Sequence, residues 1–290
     1  MEQNDWEALV RQIRKGTCTP FLGAGVNEPF LPLGRELAET LADKYNYPFG
    51  DTGDLIRVSQ YIATTTKNPQ RPKEEVLELL DKQLLKIGAE KVCLETEVYS
   101  KDGPIGMLSE LPFSVYITTN YDPLVCNALK SRKRDCQREF CRWNNALKDP
   151  KRTFPAPSRE APVVFHLHGA DQQQDSLVLT EDDYVAFLVN LRQDIIPPRI
   201  NESLVNSMLF IGYSLQDWNF RVLHQALLSA RDVVALNGSL SVQMPWEKDP
   251  DKQRLAEAFL NQYFGDRKIS VYWGTAKAFL AELMRHWNNQ

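Results

Sequence analysis

The feature that most constrains the fold is an alternation of short apolar segments with longer amphipathic ones. Each short segment is rich in β-branched or aromatic residues and stops at a glycine or at polar residues, which predicts strands. The predicted strands are residues 19–22, 114–119, 162–168, 209–212, 233–236 and 269–273. Helical patterns separate most of them, so the sequence predicts an α/β fold with a mostly parallel sheet and helices on both faces.

One long helical stretch interrupts the alternation. Residues 54–111 are helical in pattern almost throughout, and residues 74–92 carry a broad apolar face. No convincing strand occurs between Leu22 and Ser114. The sequence therefore predicts one domain, residues 1–290, with a helical module inserted at about residues 50–112.

The composition is that of an ordinary globular protein, with 43% hydrophobic and 25% charged residues. The chain has no uninterrupted apolar run of about 18 residues, and its polar N-terminus is unlike a signal peptide, so we expect a cytoplasmic protein with no membrane segment. The net charge of −4 favours no direct contact with nucleic acid. One local exception is the basic run at residues 130–142, which is typical of a solvated helix face or a mobile loop.

The cysteines and histidines do not form a recognisable metal-binding pattern. The chain has five cysteines, and an odd number without a signal peptide argues against a disulfide framework. Only Cys136 and Cys141 are close in sequence, and no second pair completes a tetrahedral zinc site. His166 and His168 share one face of a predicted strand but lack a third ligand nearby in the sequence. We therefore expect no metal.

The residues that follow predicted strands are the candidates for binding, because ligands of parallel α/β sheets lie at the carboxyl ends of the strands. Gly23, Ala24 and Gly25 form a turn between the first strand and a helix, where backbone N–H groups and the helix end can hold a phosphate. The full dinucleotide fingerprint needs a third glycine where Glu28 stands. An ordinary strand–helix turn thus remains an alternative.

Three further polar groups follow later strands. Residues 118–122 read Thr-Thr-Asn-Tyr-Asp, which fits either a ligand site or a capped turn before the next proline. His168, rather than His166, stands at the very end of its predicted strand. Gly212 permits close approach of the backbone, and Ser214 offers a hydroxyl that can bond a ribose.

The order of these motifs resembles that of the sirtuin superfamily: Gly-Ala-Gly, then Thr-Asn-x-Asp, then His-Gly, then Gly-x-Ser-Leu. More closely, the chain resembles the sirtuin-like NAD-consuming domains of bacterial anti-phage defence proteins, from about residue 17 to residue 283. The resemblance implies a Rossmann-like fold and NAD+ as the substrate. It also implies hydrolysis of the nicotinamide–ribose bond, which yields nicotinamide and ADP-ribose.

The resemblance further implies roles for individual residues. Asn120 matches a residue of the pair that orients the attacking water and holds the carboxamide, and His168 matches the catalytic histidine. The chemistry of histidine fits that role, since an imidazole with an ordinary pKa of about 6.5 can accept a proton from a ribose hydroxyl or from water at neutral pH. Asp122 matches the residue that holds the nicotinamide carboxamide. The residues implied in NAD binding are Gly23, Ala24, Gly25, Asn27, Thr119, Asp122, Gly212, Ser214 and Gly274.

Departures from the deacetylases of the superfamily favour water as the acceptor. Their two Cys-x-x-Cys pairs are absent, and Thr119 stands where they carry a glutamine. A deacylase, an ADP-ribosyltransferase and a non-catalytic module that binds NAD or ADP-ribose remain open as alternatives. Uncontrolled cleavage would drain the NAD of a cell, so we expect a homo-oligomer, a regulatory partner or a fused sensor domain to control the activity.

Overall fold

The computed structural model describes residues 1–89, 97–149, 153–191, 195–214, 221–223, 225, 239–245, 249–266 and 269–289. Within these residues the strands are β1 (Cys18–Leu22), β2 (Val115–Thr118), β3 (Gln137–Phe140), β4 (Val163–His166), β5 (Ser207–Ile211), β6 (Ser239–Gln243) and β7 (Ile269–Trp273). They form one sheet in the order β3-β4-β2-β1-β5-β6-β7, and all the neighbouring pairs are parallel. The predicted parallel sheet is confirmed.

The helices of the described residues are α1 (Gln3–Lys15), α2 (Gly34–Lys44), α3 (Leu55–Thr66), α4 (Arg71–Ala89), α5 (Pro104–Glu110), α6 (Leu124–Ser131), α7 (Glu181–Asn190), α8 (Pro198–Val205), α9 (Pro250–Gly265) and α10 (Ala276–Asn288). Local sequence explains where two of them end or begin. α1 is capped at its C-terminus by Gly16, which adopts the left-handed conformation that glycine favours (φ 71°). α7 is capped at its N-terminus by Thr180, whose hydroxyl accepts from the N–H of Asp183 in a capping box.

Both faces of the sheet are covered, because successive side chains of a strand point to opposite faces. On β5, Met208 and Phe210 enter one core, whereas Leu209 and Ile211 enter the other. Helices α7, α8 and α9 contribute to the first core, and α1, α5, α6 and α10 contribute to the second. This arrangement confirms the predicted α/β, Rossmann-like fold.

A third core lies among the helices that follow β1. Apolar residues of α2, α3 and α4 pack together there, with residues 90–96 outside the described part of the chain. Lys73 of α4 is buried and lies 3.1 Å from the carboxylate of Asp183, in the first turn of α7. This ion pair connects α4 to α7, a helix of the first core.

Two strands were not predicted from the sequence, and one prediction lies outside the described residues. The segment 233–236, predicted as a strand, is not among them. β6 is half polar, and its buried serines are satisfied locally, since the Met208 N–H donates to the Ser239 hydroxyl at 3.0 Å. β3 is an edge strand of polar sequence. β3 has one apolar residue, Phe140. β6 alternates polar and apolar residues but has only two apolar ones, Leu240 and Val242, so neither strand carries the apolar run by which the other strands are predicted.

The interpretation of residues 130–142 as a solvated helix face or mobile loop is wrong for its two central arginines. The guanidinium of Arg134 donates to the carbonyls of Leu111 and Phe113, at 3.0 and 2.5 Å. Arg138 lies on β3 and pairs with Asp171. These side chains satisfy backbone carbonyls and a carboxylate at the edge of the sheet.

The expectation against disulfides is also wrong for one pair. Cys126 on α6 and Cys136, next to β3, form a disulfide. The connection between α6 and β3 brings their Cα atoms to 5.6 Å, a separation typical of disulfides that the sequence spacing alone does not reveal. Cys18 and Cys141 are free and buried.

No helix within the described residues combines the length and the apolar character needed to cross a membrane.

Candidate active site

A cavity of about 760 Å³ opens at the carboxyl ends of β1, β2 and β5. Its volume lies within the range of small-molecule sites, roughly 300–1,000 Å³. One wall comes from the loops that follow these strands and β4. The opposite wall comes from residues 31–37, from the loop before α3 and from the start of α3. The helices that follow β1 thus supply about half of the site.

The floor of the cavity is a contact between two backbone turns. The N–H of Gly23 donates to the Ile211 carbonyl at 2.9 Å, and the N–H of Gly25 donates to the Gly212 carbonyl at 3.1 Å. A Cβ on Gly23 would lie 2.6 Å from the Gly212 oxygen. Gly212 has φ +81°, and its Cβ would lie 2.5 Å from the Val26 nitrogen. Only glycine fits at these positions. The hydrogen bonds of the contact already use the N–H groups of Gly23 and Gly25.

Asn120 is held from three directions at the end of β2. Its backbone N–H donates to the Thr118 hydroxyl at 3.0 Å, and its carbonyl accepts from the His166 ring at 2.7 Å. Its side-chain Nδ2 donates to the Gly23 carbonyl at 3.1 Å. A carbonyl can only accept, so this contact fixes which end of the amide is nitrogen. Among the described residues no donor reaches Asn120 Oδ1, which leaves this oxygen able to accept from a ligand or a water.

Asp122 and Asn27 form a buried pair beside Asn120. Asp122 Oδ2 accepts from Asn27 Nδ2 at 2.6 Å, and Oδ1 accepts from the Leu124 N–H at 3.0 Å. Burial raises the pKa of Asp122 to about 6. Asn27 Oδ1 is buried and has no hydrogen-bond partner in the described part of the chain. The pair therefore offers an unused acceptor next to the cavity.

His168 lines the cavity two residues after β4. Its ring packs edge-to-face against Phe187 and Tyr184, with centroids 5.1 and 6.0 Å apart. Its Nε2 is buried and has no partner among the described residues. Burial lowers the pKa of His168 to about 4, below the ordinary value of about 6.5. The imidazole is therefore neutral at pH 7.

His166 has a different environment. It is 1% exposed and is not among the described residues that line the cavity. Its ring contacts the Asn120 carbonyl and the Arg138 guanidinium. Burial and the cation of Arg138 lower the pKa of His166 to about 3. Of the two histidines, only His168 faces the cavity.

Thr119 and Tyr213 link the ends of three strands. The Tyr213 hydroxyl donates to the Leu22 carbonyl at 3.0 Å. Because a phenol has one hydrogen, the Thr119 hydroxyl donates to the Tyr213 oxygen, at 2.7 Å. Tyr213 lines the cavity between Gly212 and Ser214.

Most of the site residues predicted from the sequence come together. The residues of that set that line the cavity are Ala24, Asn27, Thr119, Asn120, Asp122, His168, Gly212 and Ser214. Gly23 and Gly25 form its floor through the contact with the β5 turn. Gly274 lies apart from the described lining residues: it follows β7 and donates to the Gln243 carbonyl at 2.7 Å.

Two parts of the site are not among the residues predicted from the sequence. One is Tyr213, which lies inside the Gly-x-Ser-Leu motif and lines the cavity. The loop at residues 50–54, Gly-Asp-Thr-Gly-Asp, lines the opposite wall. Its dense turn residues between two helices were the available signal. Among the described residues, no group of three or more His, Cys, Asp or Glu side chains can hold a metal ion.

The parallel sheet, with a cavity at the switch point beside its central strand, defines the α/β class of proteins with a Rossmann-like fold. A family model described as the SIR2-like domain matches residues 114–264, about half of the chain. The chain belongs to the SIR2-like family.

Three curated relatives are each named NAD(+) hydrolase ThsA. The relative from Acinetobacter baumannii (strain 532279) is 25% identical over 73% of this chain and 39% of its own length. The relative from Bacillus cereus (strain MSX-D12) is 24% identical over 77% and 42%. The relative from Cytobacillus dafuensis is 30% identical over 73% and 39%. The chain thus spans about two fifths of the length of these relatives.

The contact between the β1 and β5 turns predicts a specific sensitivity to Gly212→Ala. The added Cβ has no room beside the Val26 nitrogen, and the positive φ adds strain, so we expect a loss of at least about 2 kcal/mol in the free energy of unfolding. Urea denaturation measures the loss. Gly265→Ala is the matched control, since its Cβ enters open space. Equal stability of the two variants would contradict the proposed contact.

The buried neutral histidines predict that the protein loses stability in acid. His168 has its folded-state pKa lowered to about 4, so its contribution is present above about pH 6.5 and is lost as the pH falls towards 4. Between pH 7 and pH 5 this loss is about 2 kcal/mol for one histidine. We expect His168→Asn to lose correspondingly less free energy of unfolding between these pH values than the wild type. Identical pH dependence in urea denaturation of the two proteins would refute the assignment.

Proposed function

We propose that this chain binds NAD+ in the cavity and hydrolyses the nicotinamide–ribose bond, giving nicotinamide and ADP-ribose. The observation that carries the proposal is that Asn120 and His168 line the same cavity, and that His168 Nε2 is buried without a partner in the described part of the chain. Asn120 Nδ2 donates to the Gly23 carbonyl, which leaves Oδ1 as the acceptor that this side chain offers. Membership of the SIR2-like family supports it, as do three relatives that are named NAD(+) hydrolases at 24–30% identity.

In this proposal the ends of NAD+ lie at different strands. The pyrophosphate lies by the turn of Gly23, Ala24 and Gly25, at the centre of the sheet, where the glycines let it approach the backbone closely. The N–H groups of Gly23 and Gly25 already donate to the β5 turn, so they are not the donors to the phosphates. The adenosine ribose lies at Gly212 and Ser214, and its adenine extends towards Gly274. The nicotinamide lies at the other end, by Asn120, with Thr119 alongside it.

The nicotinamide carboxamide needs acceptors for its NH₂ group. Asp122 is the proposed acceptor, although Asn27 and Leu124 already donate to its two oxygens. Asn27 Oδ1 is a second acceptor, and no described residue donates a hydrogen bond to it. An unpaired buried acceptor gains free energy when a ligand donates to it, which favours a ligand amide at this position.

The reaction needs positioning and electrostatics more than a strong base. The C1′–N bond breaks with its electron pair leaving on nicotinamide, which becomes neutral, while positive charge develops on the ribose ring. A water held by Asn120 Oδ1 attacks C1′, and its proton passes to neutral His168 and then to solvent. No metal is needed for these steps. Holding the water in line is worth several orders of magnitude in rate.

We further propose that the chain forms a single NAD-binding domain with a helical insertion at about residues 50–112. We place it in the cytoplasm, as an effector of anti-phage defence that acts by NAD depletion. A homo-oligomer, a regulatory partner or a fused sensor domain would control it, because unregulated hydrolysis would harm the cell. The greater length of the three relatives is compatible with a further domain.

Chromatography of NAD+ after incubation with the protein tests the proposed reaction. We expect the wild type to release nicotinamide and ADP-ribose in equal amounts. Asn120→Ala and His168→Ala each lower kcat by about 10²- to 10⁴-fold, because each removes a group that acts on the attacking water. NAD+ binding, measured by calorimetry, changes much less. Asn145→Ala, an exposed position outside the cavity lining, is the control.

Other outcomes would support the rival functions. Formation of O-acetyl-ADP-ribose from an acetylated peptide, or labelling of a protein by ADP-ribose, would indicate a transferase or deacylase. A wild type that binds NAD+ but stays inert at every protein concentration would indicate a binding module. Full activity in His168→Ala would refute the catalytic assignment alone.

A further inference from the structure

A series of part-buried polar contacts lies behind Asn120, outside the cavity. It runs from Asp171 through Arg138 to His166 and ends on the backbone carbonyl of Asn120. None of its first three members is among the described residues that line the cavity. These three residues therefore do not contact a substrate in the cavity. His166 is nevertheless 1% exposed, and both of its ring nitrogens have a hydrogen-bond partner.

The chemistry of Arg138 and of the Asn120 carbonyl determines which atoms donate hydrogens in this series of contacts. An arginine guanidinium only donates, so Arg138 Nε donates to His166 Nε2, at 3.2 Å. His166 Nε2 is therefore an acceptor, and the ring hydrogen is on Nδ1. That hydrogen is donated to the Asn120 carbonyl, at 2.7 Å. The arginine thus selects the one neutral tautomer of His166 that can hold Asn120.

The same arginine also holds the next peptide. Arg138 Nη2 donates to the Tyr121 carbonyl at 3.1 Å and to the carboxylate of Asp171. The backbone N–H of Asp171 donates to the same Tyr121 carbonyl at 3.0 Å. The two carbonyls that follow β2 are therefore both fixed from the side away from the cavity. The direction of the Asn120 side chain, and hence of Oδ1, depends on them.

We propose that His166, with its tautomer set by Arg138, is a positioning residue that aims Asn120 Oδ1 at the attacking water. The inference rests on the proposed hydrolysis of NAD+. His166 touches no reacting atom and acts through the backbone of Asn120. Asp171 supports it by holding the guanidinium of Arg138.

Two isosteric variants separate the roles of the two ring nitrogens. In His166→Asn, the amide nitrogen can occupy the position of Nδ1 and still donate to the Asn120 carbonyl. In His166→Gln, the amide group reaches the position of Nε2 and leaves that carbonyl without its donor. We expect kcat of the Gln variant to fall about 10- to 100-fold with little change in KM for NAD+, and the Asn variant to regain most of the rate.

The ratio of nicotinamide exchange to hydrolysis at the ribose intermediate is a second measurement. A general loss of stability does not change this ratio. Labelled nicotinamide competes with water for C1′, so exchange into NAD+ and hydrolysis can be counted in one reaction. A poorly aimed water shifts this ratio towards exchange in His166→Gln but not in His166→Asn. His286→Gln is the control, since His286 is buried against Trp6 far along the chain, on α10.

The outcomes distinguish this inference from the proposed function. Suppose that the wild type is active, that His166→Asn and His166→Gln lose rate equally, and that both keep the wild-type ratio of exchange to hydrolysis. This result overturns the positioning role of His166 but leaves the proposed hydrolysis of NAD+ intact. A wild type that neither hydrolyses NAD+ nor exchanges nicotinamide overturns hydrolysis. Independently of activity, ¹H–¹⁵N correlation spectra of the histidine rings report the tautomer. A hydrogen on Nδ1 of His166 supports the geometry, and one on Nε2 overturns it.

Discussion

The contact between the β1 turn and the β5 turn is the constraint on which the rest of the site depends. β1 is the central strand, and the chain places β2 on one side of it and β5 on the other. Two turns must therefore meet where the direction of the connections reverses, which is where ligands of such sheets bind. At this point the carbonyl of Gly212 lies so close to Gly23 that no side chain fits between them. The side chains of the site stand around that floor.

Asn120 connects this floor to the catalytic proposal. Its Nδ2 donates to the carbonyl of Gly23, so the same turn that meets β5 also orients the amide. The opposite side of Asn120 is held by His166. An amide fixed at both ends presents Oδ1 in one direction, and preorganisation of that kind is what a reaction limited by the aim of a water requires. The helices that follow β1 supply the opposite wall.

The sequence predicts the strands whose residue types reveal that they are buried. β1, β2, β4, β5 and β7 are apolar and end in glycine or polar residues, and their predicted positions are confirmed. β3 and β6 were missed for a physical reason. β3 is an edge strand with one apolar residue, Phe140, among three polar ones. The buried serines of β6 are satisfied by hydrogen bonds that only the folded chain provides.

The same limit applies to the site. Motif order brought Asn120, Asp122 and His168 together, and the structure gathers them around one cavity. The pKa of His168, the tautomer of His166 and the role of Arg138 depend on burial and on contacts from distant segments. A basic run looks like a solvated face in sequence, although Arg138 lies behind the cavity wall. Gly274 follows β7 and is not among the described residues that line the cavity, so its contact with the adenine stays a prediction.

The decisive measurement for the proposed binding mode is a crystal structure of His168→Ala soaked with NAD+. We expect intact NAD+ in the cavity, with the nicotinamide ribose beside Asn120, the carboxamide at Asn27 and Asp122, and the pyrophosphate at the turn of Gly23 to Gly25. NAD+ bound elsewhere on the molecule, or bound here with its adenine at Asn120, would contradict the proposed function.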